Sequence, residues 1–489
     1  MIEQDEIVEN AYDVELSNWV KKEKAAIELI NIIGNLWFDR TVELLIFRKP
    51  LFDTSSSEIL NFHLYARTIT DMPVTVETSL ELAREIEQLD LCPSRIDIGR
   101  LDSEWLRERD QYGSVKEFLL RKLSDHIGQD KINIQPKDVV LYGFGRIGRI
   151  AARELISLAG NGQQLRLKAI VTRSNSDKDI IKRAELLRND SVHGPFKGNV
   201  VEDLNKKELI VNGNVIKMIA ADNPEDIDYT QYGINNALLI DNTGVWRDRE
   251  ELSRHIKANG IDKVLLTAPG KGDIPNIVYG INQSDFSIED ENIFSAASCT
   301  TNAITPVLEV IHKEFGIDNG HVETVHSYTN DQNLLDNYHK KSRRGRGAPL
   351  NMVITETGAS KAIAKVIPEL SGKLTGNAIR VPTPNASLAI LNLKLNKDVT
   401  RDEVNDTLKK SSLYGSLIEQ IEFSVSDELV SSDIIGNTHT AIVDGPATIS
   451  APDNNTIILY VWYDNEYGYT RQVLRLAKAI SKVRRILYY

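Results

Sequence analysis

The 489-residue chain has only two cysteines, Cys92 and Cys299, and no apolar run that approaches the length of a membrane span. Two cysteines cannot form a disulfide framework, so a reducing, cytoplasmic location is expected. A transmembrane helix needs about 20 consecutive apolar residues, so we expect no membrane partner. The first residues are acidic where a secretory signal would be basic and then apolar, which predicts no export signal.

The chain also lacks an excess of positive charge. Its 58 Lys and Arg residues are outnumbered by 70 Asp and Glu residues, which gives a formal net charge of −12. This balance argues against a general nucleic-acid or membrane-surface binder. The composition, 41% hydrophobic and 26% charged, is typical of globular proteins, and the length predicts two or three domains.

We expect the chain to divide near residue 135. Apolar residues in the first part, such as Leu82, Ile86 and Leu89, recur at helical spacing and predict a mostly helical segment. Residues 1–135 contain no phosphate loop, no metal-ligand cluster and no pairing of a nucleophile with a base. We interpret the segment as a packing or oligomerisation element. Capping an oligomer, docking a partner and covering a cofactor pocket all remain open as its role.

A glycine-rich turn follows the first strand-like run of the second part. An apolar run over 138–142 leads into residues 143–149, which read GFGRIGR, and a helical pattern follows. Gly143 permits the tight turn, Gly145 lets the backbone approach a pyrophosphate, and Gly148 lets helix and strand pack closely. The strand–turn–helix context predicts a dinucleotide site. The alternative is a glycine-rich turn without a ligand.

The next strand, over 165–171, ends without the carboxylate that binds the ribose 2′-OH of NAD. Thr172 and Arg173 stand there instead. A hydroxyl beside a guanidinium tolerates or favours a 2′-phosphate, so the cofactor is predicted to be NADP or NAD, with NADP suspected. Thr267 ends a later strand, at the sheet edge where such folds bind ligands.

Cys299 lies in a segment that suits a nucleophile, although most free cysteines are small buried side chains. Residues 295–302 read SAASCTTN and stand between an apolar run and a helical pattern. This places the thiol near a helix N-terminus, where free N–H groups and the helix dipole favour the thiolate. His326 could serve as its base, although an isolated histidine in a strand is more often structural.

Hydroxyls and arginines elsewhere in the second part suit small phosphate dianions. Arg344 belongs to a basic loop over 343–347, Thr357 and Gly358 lie in a turn, and Arg380 follows a strand-like run. Arginine can pair bidentately with phosphate oxygens. The alternative for the basic loop is a solvated run of charges.

Five motifs stand in the order seen in phosphorylating glyceraldehyde-3-phosphate dehydrogenase, and the chain resembles that family from about residue 137 to its end. The first 135 residues are not part of the family's usual core. The motifs are residues 143–149, 297–302, 324–329, 372–376 and 462–469.

The resemblance implies an α/β Rossmann domain over 136–298, completed by a C-terminal helix over 467–489, and an α+β catalytic domain over 299–466. A mostly α-helical extension, 1–135, precedes them. It also implies a homotetramer that uses a small phosphorylated aldehyde, inorganic phosphate and a nicotinamide cofactor, without a metal. Glyceraldehyde 3-phosphate would be oxidised reversibly to 1,3-bisphosphoglycerate through a cysteine thioester, a step of glycolysis and gluconeogenesis.

Residue by residue, the resemblance makes Cys299 the nucleophile and His326 its base and acid. One loop can serve both phosphate sites in this family. The other matching positions are Arg146, Ile147, Thr267 and Asn465 for the cofactor, Thr329 and Arg380 for the substrate phosphate, and Ser298, Thr300, Arg344, Thr357 and Gly358 for the attacking phosphate.

Departures from the family concentrate around the adenosine half of the cofactor. NAD-using members carry Asp where Thr172 stands and Arg where Asp222 falls. They carry Leu-Pro at 337–338, here Asn-Tyr, and Asn where Tyr142 stands. We therefore expect unaltered chemistry with cofactor choice shifted toward NADP.

Two alternatives stay open for the function. The first is erythrose-4-phosphate dehydrogenase, a related aldehyde oxidation that releases the acid without a phosphorylation step. The second is a binding or regulatory homologue that lost its activity, against which the intact Cys299 and His326 argue.

Overall fold

The computed structural model describes residues 2–70, 72–128, 131–452 and 455–489. The chain forms two compact units. One consists of Met1–Gln135 with Ala159–Gln164 and Val483–Tyr489, and the other of Pro136–Leu158 and Leu165–Lys482. Among the described residues, no helix combines the length and apolar character that a bilayer crossing requires.

The first unit packs helices against a small sheet, and side-chain caps define where the helices begin. Ser55 accepts a hydrogen bond from the Glu58 amide, and Glu58 in turn accepts one from the Ser55 amide, a capping box. The helices are α1 (Ile2–Arg40), α2 (Ser56–Ile69), α3 (Val76–Glu87), α4 (Ile98–Glu108) and α5 (Val115–Lys122). The strands are β1 (Glu43–Ile46), β2 (Lys49–Pro50), β3 (Ser94–Asp97) and a C-terminal strand, Ile486–Tyr488.

The C-terminal strand corrects the expectation of a helix over 467–489. The helix ends at Ile480, and residues 486–488 pair in parallel with β3. Arg485, just before this strand, is buried; it donates to Glu43 at 3.1 Å and lies 4.4 Å above the Trp37 ring. Pairing with strand β3 and a buried ion pair therefore decide the conformation of the last residues.

The second unit contains a doubly wound sheet built on the glycine-rich turn. Its strands are β4 (Lys137–Tyr142), β5 (Leu165–Thr172), the antiparallel edge β8 (Val200–Asp203) and β9 (Glu208–Val211), then β10 (Asn214–Ala220), β11 (Ala237–Asp241), β12 (Ile261–Leu266) and β13 (Ile293–Ser295). The short strands β6 (Asn189–Asp190) and β7 (Gly194–Pro195) form a separate hairpin. The strand order β13-β12-β11-β4-β5-β10 is that of a Rossmann fold, and the topological switch point lies between β4 and β11. The helices are α6 (Arg146–Ser157), α7 (Asp177–Arg188) and α8 (Arg249–Ile256).

A second, mixed sheet in the same unit runs in the order β15-β16-β14-β17-β21-β19-β18, with β20 added on β21. Buried residues of α9, including Val307 and Ile311, pack with Leu391 and Leu459 in one core cluster with this sheet. The strands are β14 (Ile317–Ser327), β15 (Val353–Thr355), β16 (Leu374–Val381), β17 (Ser387–Leu395), β18 (Ile421–Ser424), β19 (Ala441–Asp444), β20 (Ile449–Ser450) and β21 (Thr456–Tyr463). The helices are α9 (Cys299–Phe315), α10 (Ala359–Val366), α11 (Arg401–Leu413) and α12 (Tyr467–Ile480).

Helix α12 packs back on the Rossmann helix α6. Arg471 pairs with Glu154 at 2.6 Å, and the Tyr467 hydroxyl donates to the same carboxylate at 2.7 Å. The predicted fold, a Rossmann domain with an α+β domain after a mostly helical extension, is confirmed. The extension also holds the short strands β1 to β3, which the sequence analysis did not predict.

Replacing Arg485 by Ala should loosen the sheet of the first unit, because buried Glu43 loses one of its cationic partners. We expect the free energy of local unfolding to fall by about 2–4 kcal/mol. Hydrogen–deuterium exchange of peptides covering β1 and β3 measures this. Lys482→Ala is the control, since its pair with Glu289 is 64% exposed on both sides. Equal exchange rates in the two variants would contradict the assignment.

Candidate active site

Cys299 is the first residue of α9, at the strand-to-helix turn after β13. Ser298 caps the helix, accepting from the Thr301 amide at 3.1 Å, and Asn302 donates to the carbonyls of Ala296 and Ser298 at 2.7 and 2.9 Å. Ala297 has a φ of +54°, a left-handed conformation that strains a residue with a Cβ. The surrounding hydrogen bonds hold this strained turn and fix the position of the thiol.

His326 faces the thiol from strand β14. The Cys299 Sγ lies 3.5 Å from His326 Nε2, within the distance for a sulfur hydrogen bond. Strands β14 and β16 run in parallel with His326 opposite Arg380, so the register brings the guanidinium beside the imidazole. The structure thus brings together three of the predicted site residues: Cys299, His326 and Arg380.

The Ser327 carbonyl and Arg380 both contact Nδ1 of the imidazole, and of these two groups only the carbonyl can accept a proton. Arg380 donates to Ser327 O at 2.8 Å and lies 2.9 Å from His326 Nδ1, which itself is 2.7 Å from the same carbonyl. When the ring proton is on Nδ1 and is donated to this carbonyl, Nε2 carries no proton and can accept one from the thiol. That tautomer is the one a general base requires.

Burial and charge together keep the pair neutral at rest. Burial first, and the charge of Arg380 next, lower the pKa of His326 to about 3, so the ring is uncharged at neutral pH. Burial also raises the pKa of Cys299, while Arg380 acts in the opposite direction. The resting site therefore pairs a thiol with a neutral imidazole, and a proton leaving sulfur has an acceptor 3.5 Å away.

A buried wall of polar groups from strand β21 and its following turn closes the site beside the thiol. The Thr300 hydroxyl lies 3.0 Å from the Tyr463 hydroxyl, whose pKa is raised by burial. Ser387 donates to Asn465 Oδ1 at 2.8 Å, which orients that amide. Asp464 accepts from the Glu466 and Tyr467 amides, so Asn465 is held rigidly just before α12.

A cavity of about 920 Å³ contains three of the residues predicted for the attacking phosphate: Arg344, Thr357 and Gly358. Arg344 donates to Thr355 Oγ1 at 3.1 Å and pairs with Asp331. Four further cationic side chains line the cavity. The sequence analysis did not assign them to a site, although the basic run before Arg344 could have indicated an anion-binding surface. They are Lys340, Lys341, Arg343 and Lys361.

Four other predicted phosphate residues lie outside the lining of this cavity, and one of them is Arg380, beside His326. Ser298 and Thr300 stay at the start of α9, beside the thiol. Thr329 lies two residues beyond β14, half-buried, where its carbonyl accepts from the Gln332 amide. The charge of Arg344 nevertheless acts on Arg380 and on His326, so the cavity and the thiol share one electrostatic environment.

The glycine-rich turn has the geometry that its sequence predicts. Gly143 has a φ of +91°, and a Cβ on Gly148 would lie 2.4 Å from the Gly143 carbonyl oxygen. Gly145 is the N-cap residue of α6, and no atom lies within 4 Å of the position a Cβ would take there. This open space lies at the first amides of α6, at Arg146 and Ile147, where a pyrophosphate fits a helix N-terminus.

The side chain of Arg146 itself is engaged within the unit. It pairs with Glu466 and, at 3.2 Å, with Asp190. Only its backbone amide is therefore offered to the open space at the start of α6. Thr267 likewise uses its hydroxyl on the protein, donating to the Asp241 carbonyl at 3.0 Å.

No carboxylate stands at the end of β5 itself. Thr172 donates to the Ser174 carbonyl at 2.8 Å, and Arg173 is exposed. The nearby acid that the sequence analysis missed is Asp179 of α7, which accepts from the Ser174 and Ser176 hydroxyls at 2.5 Å each. Within the described ranges, no group of three or more His, Cys, Asp or Glu side chains could hold a metal ion.

Comparison with known proteins adds independent findings. A family model described as glyceraldehyde 3-phosphate dehydrogenase, NAD binding domain, matches residues 137–249, and one described as the C-terminal domain of that enzyme matches residues 298–465. A glyceraldehyde-3-phosphate dehydrogenase-like protein of Pseudomonas aeruginosa (strain UCBPP-PA14) is 50% identical over 458 residues, which cover 93% of this chain and 98% of the relative.

Two further relatives align with a smaller part of the chain. Glyceraldehyde-3-phosphate dehydrogenase 2 of Nostoc sp. (strain PCC 7120) is 42% identical over 344 residues, covering 70% of this chain and 98% of that protein. The protein of the same name from Bacillus subtilis (strain 168) is 40% identical over 347 residues, covering 70% and 96%. The Pseudomonas match, at 93% coverage, therefore extends into the segment before residue 136.

Replacing Arg380 by Leu should raise the pKa of Cys299, because the substitution removes the cation that lowers it. The pH profile of iodoacetamide alkylation should move upward by about one pH unit. Mass spectrometry of the Cys299 peptide gives the rate at each pH. Arg346→Leu is the matched control, since Arg346 is 64% exposed and pairs with Asp336. Superimposable profiles for the wild type and Arg380→Leu would contradict the electrostatic role.

Proposed function

The chain belongs to the glyceraldehyde-3-phosphate dehydrogenase family, and we propose that it is a phosphorylating enzyme acting through a thioester on Cys299. Its substrates are glyceraldehyde 3-phosphate, inorganic phosphate and NADP or NAD, and its product is 1,3-bisphosphoglycerate. The observation that carries the proposal is the 3.5 Å approach of Cys299 Sγ to the neutral His326, beside Arg380. A homotetramer in the cytoplasm completes the proposal.

The first step joins sulfur to the aldehyde carbon. The proton of the Cys299 thiol moves to His326 Nε2 as the S–C bond forms, and the same proton neutralises the resulting alkoxide. This gives a hemithioacetal and returns His326 to its neutral form. Arg380, held by the Ser327 carbonyl, supplies the charge that binds the substrate phosphate.

The second step makes the thioester. His326 takes the proton of the hemithioacetal hydroxyl, and its low pKa lets it release that proton again. A bound nicotinamide cofactor supplies the acceptor for the hydride. The amides of Arg146 and Ile147 at the start of α6 would hold its pyrophosphate, and Asn465 would orient the nicotinamide amide.

The third step releases the acyl group to phosphate. A phosphate dianion in the cavity beside Arg344 attacks the thioester carbon, the C–S bond breaks, and the proton that the phosphate loses passes through His326 to the departing sulfur. The cations around the cavity favour this reaction over hydrolysis, because they bind a dianion and not water. That is why we prefer the phosphorylating enzyme to erythrose-4-phosphate dehydrogenase, and the complete thiol–imidazole pair supports an active enzyme over a regulatory homologue.

We also propose that NADP is the preferred cofactor. The end of β5 presents the Thr172 hydroxyl and an exposed Arg173 where a carboxylate would repel a 2′-phosphate. Asp179 accepts hydrogen bonds from two serine hydroxyls at the start of α7, so its carboxylate is already engaged within the protein.

Without phosphate, the enzyme should release one equivalent of reduced cofactor per active site and then stop, with the thioester visible as an added mass on Cys299. Adding phosphate should restore turnover. Arg344→Leu should raise the KM for phosphate at least about tenfold while leaving the burst intact, because charged hydrogen bonds contribute about 1.5–3 kcal/mol. Arg346→Leu is the control, and steady turnover without phosphate would support the acid-releasing alternative.

Thr172→Asp should reverse the cofactor preference, because a carboxylate there repels a 2′-phosphate and accepts hydrogen bonds from a 2′-OH. We expect kcat/KM for NADP to fall about tenfold or more and that for NAD to rise. Steady-state kinetics with both cofactors measures the change, and Thr172→Ser should keep the wild-type preference. A wild type that strongly prefers NAD would refute the NADP proposal.

A further inference from the structure

The N-terminal half of helix α1 carries an exposed apolar stripe that the first unit does not cover. The residues of the stripe are between 42% and 67% exposed, although all five are large aromatic or aliphatic side chains. They are Tyr12, Leu16, Trp19, Val20 and Ile27. A contiguous apolar surface of this kind on a soluble unit marks an interaction site.

The stripe continues, toward the start of α1, part of the face that is buried farther along the helix. Ile30 packs against the core of the unit and Trp37 is buried, and they follow Tyr12 and Trp19 by 18 residues, which is five full turns. At about 100° per residue, the stripe occupies an arc of about 100°. Glu23 lies within this arc and accepts from the Ser56 hydroxyl of α2 at 3.0 Å. The stripe residues from Tyr12 to Val20 lie before that contact and are exposed, so they are the part of the stripe against which another helix can pack.

Charged residues flank the stripe on both sides, and their order along the helix is complementary to that of the same helix in the reverse direction. One flank carries Asp13 and Lys24, and the other carries Glu15 and Lys22, all four exposed. On both flanks the acid is near residue 14 and the lysine near residue 23. A parallel copy in register would set acid against acid, whereas an antiparallel copy sets each acid opposite a lysine.

We propose that α1 pairs antiparallel with α1 of a second copy of this chain, through the stripe. Residues 12–25 of each helix overlap over about 21 Å, centred between residues 18 and 19, and Ile27 lies beyond the overlap. Glu15 then lies opposite Lys22 of the second copy and Asp13 opposite Lys24, and each contact occurs twice because the pair is two-fold symmetric. Leu16 packs beside Val20 of the second copy near the centre.

The second copy is favoured over an unrelated partner because this one segment contains both halves of the interface. An apolar stripe alone would suit many helices. The inversion of charge along both flanks matches the same helix reversed, and this self-complementarity is what a two-fold interface requires. The role of the extension is thus to associate copies of the enzyme, independently of the reaction at Cys299.

Charge reversal tests the pairing in the full-length chain. Glu15→Lys and Lys22→Glu should each weaken self-association about tenfold, since each places like charges together twice. The double variant Glu15→Lys/Lys22→Glu should restore it. Lys21→Glu, an exposed position on the opposite side of α1, is the matched control and should change nothing. Sedimentation velocity over a dilution series, at low and high salt, measures the association.

The helices could pair within an assembly that other contacts also hold together, and its mass would then stay the same when the pairing is lost. Cross-linking tests the pairing in that case. Trp19→Cys in a Cys299→Ser background places a single accessible thiol near the proposed two-fold axis, since Cys92 is buried. Oxidation should give a disulfide-linked dimer, its yield should fall in both single reversals, and it should recover in the double variant. Lys21→Cys should cross-link poorly.

Either of two results would overturn the proposal. The first is a mass and a cross-linking yield that do not respond to the single reversals. The second is a loss in the single variants that the double variant does not recover, which would show that the stripe binds a parallel helix or a different partner.

Discussion

The position of the Arg380 guanidinium beside His326 is the constraint on which the candidate site depends. It comes from a parallel strand pairing that puts the two residues opposite each other, and the Ser327 carbonyl holds the guanidinium in place. One fixed positive charge acts on both reacting groups: it adds to the burial that lowers the pKa of the imidazole, and it opposes the effect of burial on the pKa of the thiol. In the proposed mechanism the same side chain also binds the substrate phosphate, so binding and proton transfer would both depend on it.

Much of the remaining architecture keeps the Cys299 thiol and the glycine-rich turn in fixed positions. The strained backbone at Ala297 persists because Asn302 and the Ser298 cap bind the peptide groups around it. At the other turn, Gly148 packs so closely on Gly143 that no side chain fits. Helix α12 connects these regions, since it follows Asn465 and packs on α6 through Arg471. Rigid supports of this kind are what precise positioning in catalysis requires.

Local sequence signals predicted those features that depend on local structure. The GxGxxG turn, the placement of Cys299 at a helix start and the missing acid at Thr172 all follow from a few adjacent residues. No local signal predicted that His326 and Arg380 lie side by side, because strand register brings together residues that are 54 positions apart in the sequence. The same limit explains the overlooked strands of the extension, which are only two to four residues long and depend on distant partners. Asp179 was missed because a helix cap, and not the strand end, brings it to Ser174.

The pairing of the C-terminal strand with β3 has a consequence for how the protein is made. The first unit takes its sheet partner from residues 486–488, which leave the ribosome after all of the second unit. Domains usually fold in the order of their synthesis, N-terminal first. Here the sheet of the N-terminal unit cannot be completed until residues 486–488 have been synthesised, and the whole dehydrogenase core is translated before them. Until then Glu43 lacks Arg485 and the edge of β3 is open, so the sheet of the extension is completed only after the core has been translated.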